Sequence, residues 1–251
     1  MTMQGYDNSS YGDAFADVFD DWYGDISDVA VAVAALARLS AQAGPLPIIE
    51  LGVGTGRLAL PLAQLVHPTP VIGIDSSAAM LRQLDGKHDR NPLVTILGDM
   101  IDDLPDGPLG LVFVAFNTFF NLNSQQRQLA CMQAVAQRLD TNGCLVIEAM
   151  VPDQPARTGS HVEVKSITRD RVVLSVATYD GTQQSAEGQF IEFTEAGGVR
   201  LRPWSIRYTS PGELDTMAAD AGLRLRHRWE TFAGTPFTND STRHVSIYSP
   251  T

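Results

Sequence analysis

The segment Glu50-Leu51-Gly52-Val53-Gly54-Thr55-Gly56-Arg57 constrains this chain more than any other. It follows a short apolar run, Pro47–Leu51, that shows no alternation and so reads as a strand buried on both faces. It precedes a helical stretch, Leu58–Leu65. Glycine permits positive φ and carries no Cβ to hold a ligand off the backbone. The helix that follows aims free N–H groups and a partial positive charge at whatever lies over the turn. The turn therefore predicts a nucleotide-like ligand. The dinucleotide fingerprint is G-x-G-x-x-G, built for a pyrophosphate. Here the third glycine comes one residue early and Arg57 takes its place. Glu50 would repel a pyrophosphate but attract an ammonium group. No Gly-Lys-Ser/Thr follows, so the turn is not a phosphate-cradling P-loop.

The rest of the first 150 residues repeats the strand-then-helix habit. Val71–Ile74, Leu93–Leu97, Leu109–Ala115 and Leu145–Ala149 read as strands. Ala78–Leu84 and Gln125–Leu139 read as helices, the latter with a Ser124 cap and an Asn142-Gly143 stop. Short apolar strands alternating with helices predict a Rossmann-like, mostly parallel sheet with helices on both faces. Residues 161–208 switch to alternation punctuated by Asp180-Gly181 and Gly197-Gly198, which reads as an antiparallel β insertion after the fifth strand. The expected division is a helical lid over residues 1–44, a Rossmann-like body over 45–150 and 209–251, and the insertion over 151–208.

Acidic residues outnumber basic ones 29 to 18, a net charge of −11, which disfavours nucleic acid as a partner. No run of about 18 apolar residues predicts a spanning helix. The acidic N-terminal stretch lacks the basic flank and apolar core of a signal peptide, so a cytoplasmic protein is expected, with no membrane partner. The two cysteines, Cys131 and Cys144, sit in apolar segments and read as buried thiols. His67, His88, His161, His227 and His244 show no metal-ligand spacing, and no metal is assigned. Arg200 and Arg202, and likewise Arg224, Arg226 and Arg228, alternate along predicted strands and read as one solvated face.

Glu50–Arg57 resembles the first motif of the class I S-adenosylmethionine-dependent methyltransferases. Three further signals fall at strand ends in the same order: Asp75, then Gly98-Asp99-Met100, then Phe116-Asn117-Thr118-Phe119-Phe120. The segment Tyr11…Phe19-Asp20…Tyr23 is similar to the N-terminal Y-x₇-Y-D of small-molecule N-methyltransferases, notably the aminosugar-type enzymes of antibiotic pathways. Phe19 departs from the usual Tyr, and Asn121 stands where some relatives carry a His proposed as a base. The resemblance implies S-adenosyl-L-methionine as cofactor, S-adenosyl-L-homocysteine as product and a small-molecule acceptor. It implies cofactor contacts from Tyr11, Tyr23, Glu50, Gly52, Gly54, Gly56, Arg57, Asp75, Ser76, Met80, Gly98, Asp99, Met100 and Phe116. It places methyl transfer at Tyr11, Phe116, Asn117 and Asn121.

Plainer readings stand beside these. Asp75 can serve as a helix cap, Asp99 as a turn residue, and Tyr11 and Tyr23 as packing residues. Phe116, Phe119 and Phe120 can be core, or can join Trp204 in desolvating an amine nucleophile. Glu148, closing a buried strand, calls for a partner, either a salt bridge or the substrate. No obligatory base stands out, which favours an amine acceptor over a phenol or sugar hydroxyl. O-methylation and non-catalytic binding of the cofactor remain the alternatives. A nucleotide-dependent oxidoreductase is disfavoured by the glycine spacing. Neither the acceptor nor the oligomeric state is legible.

Overall fold

The computed structural model describes residues 3–24, 28–87 and 92–251. The chain runs α1 (Ser10–Phe15), α2 (Phe19–Tyr23), α3 (Val29–Ser40), β1 (Ile48–Leu51), α4 (Ala59–Val66), β2 (Val71–Asp75), α5 (Ala78–Asp85), β3 (Leu93–Leu97), β4 (Leu109–Val114), α6 (Gln125–Ala136) and β5 (Leu139–Met150). It continues through β6 (Gly159–Ile167), β7 (Arg171–Asp180), β8 (Ser185–Thr194), β9 (Val199–Arg207), α7 (Pro211–Asp220), β10 (Leu223–Trp229) and β11 (Arg243–Pro250).

Seven strands form one sheet in the order β10-β11-β5-β4-β1-β2-β3. The first five strands of the chain are parallel, and β11 returns antiparallel against β5. Every residue of β1 and β4 is buried, because helices cover both faces. Period-two alternation sorts the side chains: Leu111 and Phe113 join α3 and α4 in one core, while Val112 and Val114 join α6 and α7 in the other. Helix starts are set by hydroxyl caps: Ser77 accepts from the Met80 N–H, and Ser124 from the Arg127 N–H. The four antiparallel strands make a separate sheet in the order β6-β7-β8-β9, inserted between β5 and α7.

Three sequence expectations need correction. Asn142-Gly143 does not end a helix: α6 stops at Ala136, and the pair lies inside β5. The β4–β5 register jumps from Leu109↔Leu139 to Leu111↔Cys144, so residues 140–143 are absorbed as an irregularity in a strand. Gly143 is there because a Cβ would come within 2.7 Å of the Leu109 carbonyl oxygen.

The N-terminal helices are also not one unit. α3 packs its Ala32, Ala35, Leu36 and Leu39 into the core of the main sheet. Only α1 and α2 lie elsewhere, in a cluster where Phe15, Ala16 and Val18 meet Met80 of α5 and Phe190 and Trp204 of the small sheet.

The arginines do not form one solvated face, although Arg200 and Arg224 are exposed. Arg200 is 56% exposed, but Arg202 is only 1% exposed. Arg202 sits between Asp17 (2.6 Å) and Glu192 (3.0 Å) and also donates to the Ala14 carbonyl. Arg228 pairs with Asp215 at 2.6 Å. Strand alternation missed these because it says nothing of partners on other elements: Asp17 just after α1, Glu192 on β8 and Asp215 on α7. Arg202 thus fastens the C-terminal end of α1 to the insertion sheet. Replacing it with alanine leaves Glu192 buried with only Arg171, at 3.5 Å, beside it. Urea unfolding of Arg202→Ala is expected to show a loss of about 3–5 kcal/mol.

Candidate active site

The strand order of the main sheet reverses between β1 and β4, and a crevice opens at the carboxyl ends of these strands. β1 delivers Gly52 (φ +70°) and Gly54 (φ +54°) to this crevice, both in the left-handed region that favours glycine. A Cβ on Gly52 would lie 2.3 Å from the Thr118 methyl, so the end of β4 presses directly on the turn. The amides of Gly52 and Val53 donate to the Ile74 carbonyl at 2.8 and 2.9 Å. The Gly54 amide donates to Asp75 Oδ2 at 2.7 Å. Gly56 serves packing: a Cβ there would sit 2.9 Å from Leu60 and 3.0 Å from Leu84.

The two carboxylates at the neighbouring strand ends differ in what they have left to offer. Asp75 accepts one N–H on each oxygen, from Ser77 on Oδ1 and Gly54 on Oδ2. A carboxylate has about four acceptor sites, so about two remain. Ser77, not Asp75, caps α5. Asp99 is filled: Oδ1 takes the Ile101 and Asp102 amides, and Oδ2 takes Arg127 at 2.6 Å and the Asn8 side-chain amide at 2.7 Å. Burial pushes the Asp75 carboxyl above its ordinary range, and the amides of Ser77 and Gly54 oppose that shift.

The end of β4 is held in an uncommon conformation. Phe116 (φ +49°) and Asn117 (φ +63°) are consecutive non-glycine residues in the left-handed region. Such residues persist only where their surroundings fix them. Glu148 does so: its carboxylate accepts from the Phe116 amide at 3.0 Å and its carbonyl from the Asn117 amide at 3.1 Å. The Asn117 side-chain oxygen accepts from the Met150 amide at 2.6 Å. Glu148 therefore braces a turn.

The N-terminal segment closes the crevice from above. Ser76 Oγ donates to the Asn8 carbonyl at 2.7 Å, and Ser77 Oγ to Asp13 at 2.6 Å. Asp20 accepts from Thr55 of the glycine turn at 2.6 Å and pairs with Lys87 at 2.7 Å. Tyr11 stacks on Phe15 at 4.5 Å and hydrogen-bonds to Tyr23, whose ring lies 5.3 Å from that of Phe116. Burial holds the Tyr11 phenol well above its ordinary pKa, so it stays protonated.

These elements enclose one cavity. It is lined by ten of the residues singled out in the sequence: Tyr11, Gly52, Gly54, Asp75, Ser76, Met80, Gly98, Asp99, Met100 and Asn121. Tyr23, Glu50, Gly56, Arg57, Phe116 and Asn117 do not line it. Asn8, Gly12, Phe19 and Thr118 line it without having been singled out as ligand contacts. Gly12 carried a readable signal, a small residue in an aromatic helix: a Cβ there would sit 2.4 Å from Ser77. Asn8 carried none. Phe119 and Phe120 are buried in the α6–α7 core, and Trp204 packs beside Phe15, so the proposed aromatic desolvating cluster does not assemble.

The lining fits a cationic sulfur nucleoside. Among the described residues it is lined by two carboxylates and no lysine or arginine, a poor setting for a pyrophosphate. Met80, Met100, Ile74 and Leu122 give it apolar walls suited to a purine. Beside it, at the end of β1, Glu50 is buried with Oε2 lacking a hydrogen-bond partner, as a site for an ammonium group requires. Burial raises the Glu50 carboxyl to about 8 against the pull of Arg57.

Fold and site together define a Rossmann-like methyltransferase. Residues 48–143 match the model of a methyltransferase domain. The solved CcbJ methyltransferase of Streptomyces caelestis is 38% identical, with a TM-score of 0.87 over 98% of this chain and 99% of its own. The cypemycin N-terminal methyltransferase of a Streptomyces species is 27% identical over 206 residues, 80% of this chain and 81% of its own. An amino pentose methyltransferase of calicheamicin biosynthesis from Micromonospora echinaspora, solved with S-adenosylmethionine bound, is 19% identical at a TM-score of 0.69, over 93% and 97% of the two chains. The chain belongs to the S-adenosylmethionine-dependent methyltransferases, and S-adenosylmethionine is its cofactor.

Glu50 sets a pH signature. Its folded pKa lies above its unfolded value, so the unfolded chain ionises first as pH rises. Stability contributed by neutral Glu50 is full below pH 4.5 and is lost as pH rises through about 8. In the absence of cofactor, Glu50→Gln is expected to melt like wild type at pH 4.5 but to exceed it above pH 8, by on the order of 3 kcal/mol. Melting curves across this range check it.

Proposed function

We propose that the chain methylates an amine on a small molecule of an antibiotic-type biosynthetic pathway. The observation that carries this reading is the absence of an available base among the described residues lining the cavity. The acceptor sites of Asp99 are filled, the two left on Asp75 go to the ribose in this reading, and Tyr11 is held protonated. A hydroxyl acceptor needs a group to take its proton. An amine needs only to arrive neutral. Two of the similar proteins, the cypemycin N-terminal methyltransferase and the amino pentose methyltransferase, are named for groups that carry an amine, which supports the same reading.

S-adenosylmethionine supplies a methyl group already activated by its sulfonium. The work of the protein is to bind, orient and exclude water, which contributes roughly 7–11 kcal/mol when the reacting atoms are held in line. In this reading Asp75 accepts two ribose hydroxyls with its remaining acceptor sites. The Glu50 carboxylate and Gly52 receive the methionyl end, with Gly56 and Arg57 shaping the turn beneath. Met80, Met100, Ser76 and Gly98 flank the adenine. An adenine amino group reaches Asp99 only by displacing the Asn8 amide, since the acceptor sites of Asp99 are otherwise filled. Tyr11, tied to Tyr23, would cover the sulfur, and Asn121 would border the acceptor, with Phe116 and Asn117 shaping the turn behind it. Two free, buried cysteines suit a reducing, cytoplasmic setting.

Two measurements test this. Asp75→Ala removes two charge-assisted hydrogen bonds worth about 1.5–3 kcal/mol each, so calorimetry should show cofactor affinity weakened about 100-fold or more while circular dichroism is unchanged. Unchanged affinity would remove the ribose assignment. With labelled donor and a panel of amines and hydroxyl compounds, label should appear on nitrogen. kcat/KM should rise with pH toward the acceptor's own pKa, and Tyr11→Phe should keep that profile. Label on oxygen, or a profile abolished by Tyr11→Phe, would overturn the amine reading.

A further inference from the structure

A second, smaller cavity of about 280 Å³ opens where the chain leaves β5 and enters the insertion. Whole-ligand cavities begin at about 300 Å³, so this one has room for a branch of a molecule. Met150 ends β5, and Pro152, Asp153, Ala156 and Arg157 follow it along the wall. Tyr179 reaches the cavity from β7. By strand alternation Tyr179 shares a face with Ser175, and through it with Phe190 and Arg202, the face turned toward Phe15 and Asp17.

The polar groups of this wall differ in what they leave unused. Asp153 and Arg157 are exposed at the mouth and pair with each other at 2.6 Å. Arg157 also lies over the Tyr179 ring at 5.8 Å. Tyr208 is the most buried polar residue of the wall, 6% exposed, and belongs to the same core cluster as Phe119 and Phe120. Its hydroxyl is sealed from solvent and has no hydrogen-bond partner among the described residues. A buried hydroxyl left so is costly, and folded chains rarely keep one without a use. Burial, then the charges of Asp180 and Asp153, raise the Tyr208 pKa, so the phenol stays protonated and can donate. One turn borders both cavities. Thr118 and Asn121 line the cofactor cavity, and the Asn117 side chain accepts from the amide of Met150 on the wall of the second. β9, which Tyr208 follows directly, packs against the same turn.

We propose that this second cavity anchors the methyl acceptor: it takes a neutral, mainly apolar arm of the amine and binds an oxygen on that arm through the Tyr208 hydroxyl. The assignment rests on the amine reading above and adds what the rest of the acceptor looks like. Met150, Pro152 and Ala156 give the arm its apolar wall. An ether, carbonyl or hydroxyl oxygen takes the one buried donor that the fold leaves unused. A purely aliphatic arm would keep that donor unpaired and binds less well by one hydrogen bond. An anionic arm is disfavoured, because the guanidinium at the mouth is already paired with Asp153. Tyr208 therefore sets specificity and takes no part in the transfer itself.

The test compares ω-methoxyalkylamines of increasing length with alkylamines of the same length as acceptors for labelled S-adenosylmethionine. The members of each pair differ by one ether oxygen in place of a methylene, and the ether has no proton to give up. Wild type is expected to prefer the methoxy member at one or more lengths by about 3- to 10-fold in kcat/KM, carried by KM, the size of one neutral hydrogen bond. Tyr208→Phe is expected to lose this preference. Both proteins meet the same probes, so differences between the amines themselves cancel. Without ligands Tyr208→Phe is expected to melt no lower than wild type, since no partner is lost with the hydroxyl. Ala156→Trp, which narrows the exposed mouth, should abolish the same preference with an unchanged circular dichroism spectrum. Should no probe be methylated, calorimetry on the protein loaded with S-adenosylhomocysteine reads the same comparisons as binding. Equal response to both members at every length overturns the inference, as does a preference that survives Tyr208→Phe, or no binding of any probe. A Tyr208→Phe chain that melts lower shows that the hydroxyl serves the fold, and overturns it too. These outcomes leave the amine reading standing, whereas label on the oxygen of a hydroxyl compound overturns that reading instead.

Discussion

One hydrogen bond organises the site: the amide of Gly54 donating to the carboxylate of Asp75. It ties the loop after β1 to the end of β2, and it requires the chain to turn through two left-handed glycines. Once it forms, the turn is fixed at the crevice and the carboxylate keeps acceptor sites for a ligand. The closeness of Thr118 to Gly52 then fixes where β4 may end. The same constraint explains why Phe116 and Asn117 are strained and why a half-buried glutamate, Glu148, braces them.

The electrostatics of the cavity follow from that geometry. Carboxylates reach the crevice from the ends of adjacent parallel strands, and no described lysine or arginine lines it, although Arg127 pairs with Asp99. Such a site repels phosphates and welcomes a molecule that is positive at sulfur and nitrogen. Glu50 strengthens the preference, because an ionised carboxylate so buried is costly until a cation joins it. The N-terminal segment adds closure: its contacts run to the glycine turn through Asp20, to α5 through Asp13, and to the insertion sheet through Asp17. It thereby links cofactor and acceptor sides of the crevice.

What the sequence made legible was what depends on local spacing. The glycine turn and the antiparallel strands follow from period and turn chemistry, and the family resemblance picked out Asp75 at the end of β2 and Gly98-Asp99-Met100 after β3. What it hid depends on contacts between distant segments. Arg202 looked like a surface residue because its partners, Asp17 and the Ala14 carbonyl, lie in α1 and just beyond it. Asn142-Gly143 has the chemistry of a helix stop, yet tertiary pairing with β4 absorbs it into a strand. Phe119 and Phe120 were equally compatible with core and with site until the position of α6 decided for core. Asn8, a polar residue in a polar stretch, became visible only through its bond to Asp99.

The central claim is that the glycine turn and its carboxylates select a sulfonium nucleoside over a dinucleotide. Calorimetry on the wild-type chain tests it most directly, with S-adenosylmethionine, S-adenosylhomocysteine and NAD titrated in parallel. Heat and a raised melting temperature with the first two, and neither with NAD, is the predicted result. Silence toward both sulfur nucleosides, or a response to NAD alone, would contradict it.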